Sequence, residues 1–154
     1  MVQDFESSGH SYPAVYAEKG APTMRDWCQI CLEEATAEGV RAEVVYAQSM
    51  HETAYLKFGN QVSVDQCNFG GLGATNDGAA GATFADVRTG LRAQIQHLKA
   101  YASTEGLSQD LVDERFDLVD RGCAPTVIDL GGKWAVPGDT YGQSLMDIVN
   151  RIVA

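Results

Sequence analysis

Between two stretches of helical periodicity the chain carries glycine at positions 59, 70, 71, 73, 78 and 81. Glycine weakens helix and strand interiors alike and favours sharp turns. Residues 59–83 therefore cannot prolong either flanking helix. With Asn76-Asp77-Gly78 as a turn or hairpin signal, they are expected to form a small lobe of loops with room for short strands. The rest of the chain has to close around that lobe.

Upstream, Thr23-Met24-Arg25-Asp26 has the form of a capping box with Asp in place of Glu. It opens a helix whose apolar face is Trp27, Ile30, Cys31, Leu32 and Ala35, and Gly39 ends it. A second helix is expected from Arg41 to Phe58, closed by Gly59, with a stripe of Val45, Ser49, Glu52 and Leu56. Downstream, Asp86 caps a helix that turns Leu91, Ile95 and Leu98 inward. A looser segment runs to Pro125, Thr126 to Asp129 is a capped short helix, and Tyr141 to Val153 is the last one. Residues 1–20 show no periodicity and are expected as a leading arm, so the folded domain is placed at 21–154. The outline is one mainly helical α+β domain without internal repeats.

The formal net charge is −10, with acidic residues spread along the chain. That argues against a nucleic-acid binder, which needs a basic face. It argues equally against unaided adhesion to anionic membranes or anionic wall polymers. No apolar run is long enough for a transmembrane helix. The N-terminal MVQDFESSGHSYP has no apolar signal region, which leaves a cytosolic protein or one that begins after a removed signal. The four cysteines, 28, 31, 67 and 123, form an even set, but a domain of 154 residues does not need disulfides to fold. They are expected to be mostly structural, with their redox state open.

Several short motifs invite chemistry. Trp27-Cys28-Gln29-Ile30-Cys31 has redox spacing, but it falls within the first turns of a helix that follows a proline-containing loop, not a strand. Two buried cysteines on an amphipathic helix are favoured over a thiol oxidoreductase. His51-Glu52 lacks the second histidine of a zinc-protease helix, since position 55 is Tyr. Gly71-Leu72-Gly73 is no dinucleotide fingerprint, since position 76 is Asn. No cofactor and no metal are expected.

Glu52 is the residue that departs from its pattern. A carboxylate on an apolar stripe costs several kcal/mol if it is buried, charged and unpaired, on the order of the desolvation penalty for ions. Either it is a surface or ion-paired glutamate, with Arg88 or Arg92 as partner, or it stands at a cleft edge. There, apolar surroundings would hold it protonated as a general acid.

The segment GVRAEVVYAQSMHETAYLKFGNQVSVDQCNFGGLG (39–73) resembles the bacterial glucosaminidases of glycoside hydrolase family 73, cell-wall hydrolases with a lysozyme-like fold. The resemblance continues in residues 84–103, in RFDLVDRG (115–122) and in GGKWAVPGDTYGQSL (131–145), and covers most of the chain from about 22 to 150. It implies a lysozyme-like domain that cleaves the β-1,4 bond from N-acetylglucosamine to N-acetylmuramic acid in peptidoglycan. Glu52 then falls on the family's catalytic acid, Asn68 and Phe69 on its asparagine–phenylalanine motif, and Tyr141 on a cleft tyrosine. Trp134 matches the WAVPG motif, as a core residue or as a sugar platform. Ala54 stands where family members often carry glycine.

The second carboxylate has no clean match. Of Asp65, Asp77 and Asp86 in the lobe, Asp86 is expected to cap a helix and Asp77 to sit in a turn. Asp77 is the candidate for positioning water. The substrate's own acetamido oxygen could serve instead. Tyr55, Phe69, Trp134 and Tyr141 supply aromatics suited to sugar binding. The resemblance further implies a secreted or wall-associated monomer acting on glycan strands, with wall-binding domains elsewhere. Rival readings are a lytic transglycosylase or muramidase on the same fold, and a non-catalytic glycan-binding module.

Overall fold

The computed structural model describes residues 1–75 and 77–154. Its α-helices are α1 (Val2–Ser7), α2 (Met24–Glu38), α3 (Ala42–Thr53), α4 (Val87–Ala102) and α5 (Tyr141–Val153). Short 3-10 turns lie at Ala14–Lys19, Val64–Gln66, Phe116–Leu118 and Ile128–Leu130. The chain is thus mainly helical. α2 packs on both α3 and α4, and α3 packs on α5.

Local signals set the helix starts. The Thr23 hydroxyl accepts from the Asp26 amide at 3.2 Å while the Asp26 carboxylate accepts from the Thr23 amide at 2.9 Å, a reciprocal capping box. Asp86 accepts from the Thr89 amide at 2.7 Å and opens α4. Val87, Leu91, Ile95 and Leu98 of α4 are all buried, as their spacing predicts. Gly90 on that face lies so close to the lobe that a Cβ there would stand 1.8 Å from the Cys67 carbonyl oxygen. Any side chain would push α4 off the lobe.

Three expectations are corrected. First, α3 stops at Thr53 rather than Phe58. The Thr53 hydroxyl donates to the Ser49 carbonyl at 2.7 Å and accepts from the Leu56 amide at 2.9 Å. Ala54, Tyr55 and Leu56 then take left-handed conformations in succession (φ 49°, 56° and 64°), and Phe58 does so at 60°. Left-handed backbone costs an L-residue roughly 1–2 kcal/mol. Leu56 is nonetheless buried, which is why the stripe reads straight through it: hydrophobic spacing reports burial and is blind to handedness.

Second, the lobe holds almost no strand. Among the described residues its one ladder element is an isolated antiparallel bridge, Ala74 to Ala80. Side-chain amides satisfy the backbone in place of a sheet. Gln66 Nε2 donates to the carbonyls of Ala80 and Ala82 at 3.1 and 3.2 Å. Asn68 donates to Leu72 and Ala82 and accepts from the Leu72 amide. Of the hairpin signal at 76–78, Asn76 lies outside the described residues.

Third, residues 1–20 are built into the domain. Phe5 and Tyr16 are buried, the Tyr16 hydroxyl donates to the Val64 carbonyl at 2.8 Å, and Asp4 accepts from the Tyr46 hydroxyl at 2.8 Å. Elements of six residues are too short to show a period.

Cys28, Cys31 and Cys67 are buried, Cys123 is half-buried, and all four are free thiols. Among the described residues no helix is long and apolar enough to cross a membrane.

Candidate active site

Glu52 sits in the last turn of α3, where the helix reaches a cleft of about 540 Å³. Tyr141, the first residue of α5, donates its hydroxyl to Glu52 Oε1 at 2.6 Å across 89 residues of sequence. The same hydroxyl accepts from Gln48 Nε2 at 3.0 Å, one turn back along α3. Gln48 Oε1 accepts from Gln94 Nε2 of α4 at 2.9 Å, and Gln94 Oε1 accepts from the Ser49 hydroxyl at 3.0 Å. Gln48, Ser49 and Gln94 are fully enclosed. A continuous polar chain therefore runs from the core to the carboxyl.

Burial raises the Glu52 carboxyl above its ordinary value, and the Tyr141 hydrogen bond only partly opposes this. Burial and the neighbouring carboxylate push the Tyr141 phenol well above its own ordinary value, so it stays a donor. Among the described residues no Lys, Arg or His forms an ion pair with Glu52. Arg88 pairs with Glu33 and Glu34, and Arg92 pairs with Glu34. The ion-paired reading of Glu52 is thereby removed.

The cleft is lined by the lobe and by residues 134–136. Gly71, at φ 69°, brings the lobe so near that a Cβ would lie 3.3 Å from Glu52 Oε2. Trp134 also lines the cleft, donates its indole N–H to the Gly70 carbonyl at 3.2 Å, and rests on His97 and Tyr101. His97 is held from behind by Asp113 at 2.7 Å. His51 borders the cleft and meets the Tyr141 ring edge to face. Among the described lining residues Glu52 is the sole acid.

The other expected site residues scatter. Asn68 borders the cleft, but its amide is spent inside the lobe on Leu72 and Ala82. Phe69 is fully buried against Trp27, Tyr16 and Phe58 and does not line the cleft. Tyr55 faces the N-terminal segment: it donates to Asp4, accepts from Arg151 and stacks on His10. Asp77 is exposed, accepts from the Thr75 hydroxyl and the Ala79 amide, and is absent from the cleft lining. Those bonds hold its carboxyl below the ordinary value, the state of a turn-forming aspartate.

Sequence reasoning missed Gln48, Gln94, His97 and Asp113. The available signal was two glutamines on helix faces that were otherwise apolar. The three buried thiols carry no sign of activation. Burial pushes Cys28 up to about 12 and Cys67 up to about 11. Among the described residues no group of three His, Cys, Asp or Glu side chains is placed to hold a metal ion.

The chain is 49% identical over 122 residues to an uncharacterized protein of Borreliella burgdorferi, a match that covers 79% of this chain. It spans 59% of that relative's own length. No family model matches the chain, and no solved structure matches it.

Proposed function

We propose that this chain is a lysozyme-like glycoside hydrolase that cleaves the N-acetylglucosamine–N-acetylmuramic acid β-1,4 bond of peptidoglycan, with Glu52 as general acid. The observation that carries this reading is Glu52 itself: a half-buried carboxyl at the cleft, with Tyr141 bonded to one oxygen and no cation partner among the described residues. A carboxyl so placed is protonated at higher pH than a free one and can protonate a leaving oxygen. Trp134 in the cleft lining offers an aromatic edge to a sugar. The family resemblance of residues 39–73 supports the assignment. So does Ala54, whose left-handed φ of 49° is the conformation that the family's glycine at this place suits.

In the proposed reaction the Glu52 proton passes to the glycosidic oxygen as the C1–O bond breaks and C1 gains oxocarbenium character. With Asp77 outside the cleft, the attack on C1 falls to the substrate's acetamido oxygen or to a water admitted from solvent. Tyr141 then holds the carboxylate that Glu52 becomes. The protein would act on glycan strands at the cell wall. Its acidic balance calls for wall-binding domains that overcome repulsion from anionic polymers.

That Glu52 is the sole acid among the described lining residues also favours a second reading, a lytic transglycosylase or muramidase that cuts the other linkage. Digestion of purified peptidoglycan by the wild type and by Glu52→Gln, with product ends read by mass spectrometry, decides between them. New N-acetylglucosamine reducing ends that vanish with the variant support the glucosaminidase. Muramic or anhydro-muramic ends move the bond cut. Glycan binding without any products would replace the enzyme by a binding module.

A further inference from the structure

Asp4 joins the parts of the chain that surround Glu52. Its Oδ2 accepts from the Tyr46 hydroxyl of α3 at 2.8 Å and from the Tyr55 hydroxyl at 3.0 Å. Its Oδ1 accepts from Arg151 Nε of α5 at 3.1 Å. Arg151 Nη2 donates in turn to the Tyr55 hydroxyl at 2.6 Å, which closes a triangle of Asp4, Tyr55 and Arg151. Burial alone would raise the Asp4 carboxyl, but Tyr46, Arg151 and Tyr55 prevail and hold it below its ordinary value. It therefore stands ionised, an acceptor toward each of them. The Tyr55 ring is fixed as well, stacked on His10 at 5.8 Å and tilted against Phe5 at 6.4 Å.

Each donor belongs to an element that shapes the acid's surroundings. Tyr46 shares α3 with Glu52, Tyr55 lies in the left-handed run that follows α3, and Arg151 is on the helix that begins with Tyr141. Non-glycine residues persist in left-handed backbone only where their surroundings over-determine them. In this turn the Tyr55 amide donates to the Met50 carbonyl at 2.9 Å and the Phe58 amide to the Thr53 carbonyl at 2.7 Å. Those two bonds tie the turn to α3, and the Tyr55 side chain ties it to α1 and α5. From the turn, Ala54, Phe58 and then Asn60 enter the cleft lining.

We propose that Asp4 and Tyr55 are positioning residues: with Arg151 they bracket the left-handed turn and α5 against α3, and so set Tyr141 and the end of α3 around Glu52. From Tyr141 to Arg151 the helix runs roughly 15 Å at 1.5 Å per residue, so a tilt at its far end reaches Tyr141. The catalytic meaning rests on the glycosidase reading. In such a site a displacement of about 1 Å, caused far from the chemistry, can cost up to about 10²-fold in rate. Asp4, Tyr55 and Arg151 are not among the described lining residues of the cleft. They therefore act on the rate through geometry and leave the contacts with glycan alone.

The test compares the full wild-type chain with Tyr55→Phe, which removes one oxygen and keeps the ring, and with Arg151→Met, which releases α5. All measurements are made well below the melting temperature of each protein. Carbon NMR of the substrate-free chains follows the Glu52 carboxyl through its titration. In both variants the Glu52 dissociation constant is expected to change about threefold or more, half a unit on the pH scale, because burial and the Tyr141 bond that set it both depend on the bracket. On soluble peptidoglycan fragments kcat is expected to fall about tenfold, with KM within about twofold of wild type. A bracket with a structural role only would lower the melting temperature and move neither quantity. An unmoved midpoint or an unmoved kcat therefore overturns the proposal, as does a rise in KM at constant kcat, which would put Tyr55 in the glycan site. Should Arg151→Met fail to fold, Tyr55→Phe decides by itself. A wild type that gives no products would remove the glycosidase reading, while the midpoints would still decide whether the bracket sets Glu52.

Discussion

Glu38 and Glu52 stand on adjacent helices, yet their surroundings drive them in opposite directions. Glu38, at the end of α2, accepts from Lys99 Nζ at 3.0 Å and from the amides of Ser108 and Gln109 at 2.9 and 3.0 Å. Burial alone would raise its carboxyl, but these donors and the ammonium charge prevail and hold it below its ordinary 4.5. Glu34, one turn earlier, is kept low in the same way by Arg92 and Arg88. Glu52 has one phenol and, among the described residues, no cation, so burial prevails and the carboxyl rises. Withdrawal from water makes a glutamate a structural anchor where donors surround it and an acid where they do not.

The widest gap between the two should appear on substitution by the neutral isostere. Glu52→Gln is expected to lower the peptidoglycan cleavage rate by about 10²–10⁴-fold, the usual contribution of a general acid, with folding intact by circular dichroism. Glu38→Gln should leave cleavage within a small factor of wild type. It should lower the urea-unfolding free energy by about 3–5 kcal/mol, because Lys99 is left buried beside a neutral group. A loss of activity from Glu38→Gln matching that from Glu52→Gln would erase the contrast.

Next in size is Tyr141→Phe. Loss of a hydrogen bond to a charged group costs about 1.5–3 kcal/mol, so the rate should fall roughly 10- to 100-fold. The Glu52 carboxyl should rise further, visible as an alkaline limb moved to higher pH in the pH–rate profile. An unchanged profile would separate Tyr141 from the acid.

A smaller effect sharpens the comparison through its sign. Glu52 is raised in the folded chain, so its stability contribution is fully present below the unfolded value and is lost as pH rises through the folded value. Glu34 and Glu38 are depressed, so theirs is present above the unfolded value and is lost as pH falls through the folded value. Urea midpoints measured across pH should show Glu52→Gln gaining on wild type as pH rises. They should show Glu38→Gln approaching wild type at the acid end. Parallel curves would contradict both assignments.

The smallest effect belongs to Asp77→Asn. Rate and stability are expected to stay near wild type, the latter within about 0.5 kcal/mol, as for an exposed turn residue. A large rate loss would instead restore Asp77 as a second catalytic carboxylate.

Much of the frame was legible because its causes are local. The Thr23–Asp26 box, the Asp86 cap, the inward face of α4 and the start of α5 at Tyr141 each depend on residues within a turn or two. Glu52 was legible as a departure from its own stripe, and Tyr141 came through the family resemblance rather than from any period. The left-handed turn at 54–58 was hidden, since none of Ala54, Tyr55, Leu56 or Phe58 is a residue that signals positive φ. Asn68, Phe69 and Tyr55 were legible as residues but not as places. Side-chain identity does not say whether an amide faces a sugar or its own loop.

The sequence by itself determined a mainly helical chain interrupted by a glycine-rich lobe, and a carboxyl set where a core residue was due. Only the tertiary structure decided what surrounds that carboxyl. Tyr141 reaches it from 89 residues away, and Gln94 joins Gln48 from 46 residues away. The arginines that could have neutralised it are taken by Glu33 and Glu34. Spacing along a helix governs which residues share a face. The proton affinity of a buried group is governed by donors and charges within a few ångströms, and packing delivers those from any distance along the chain.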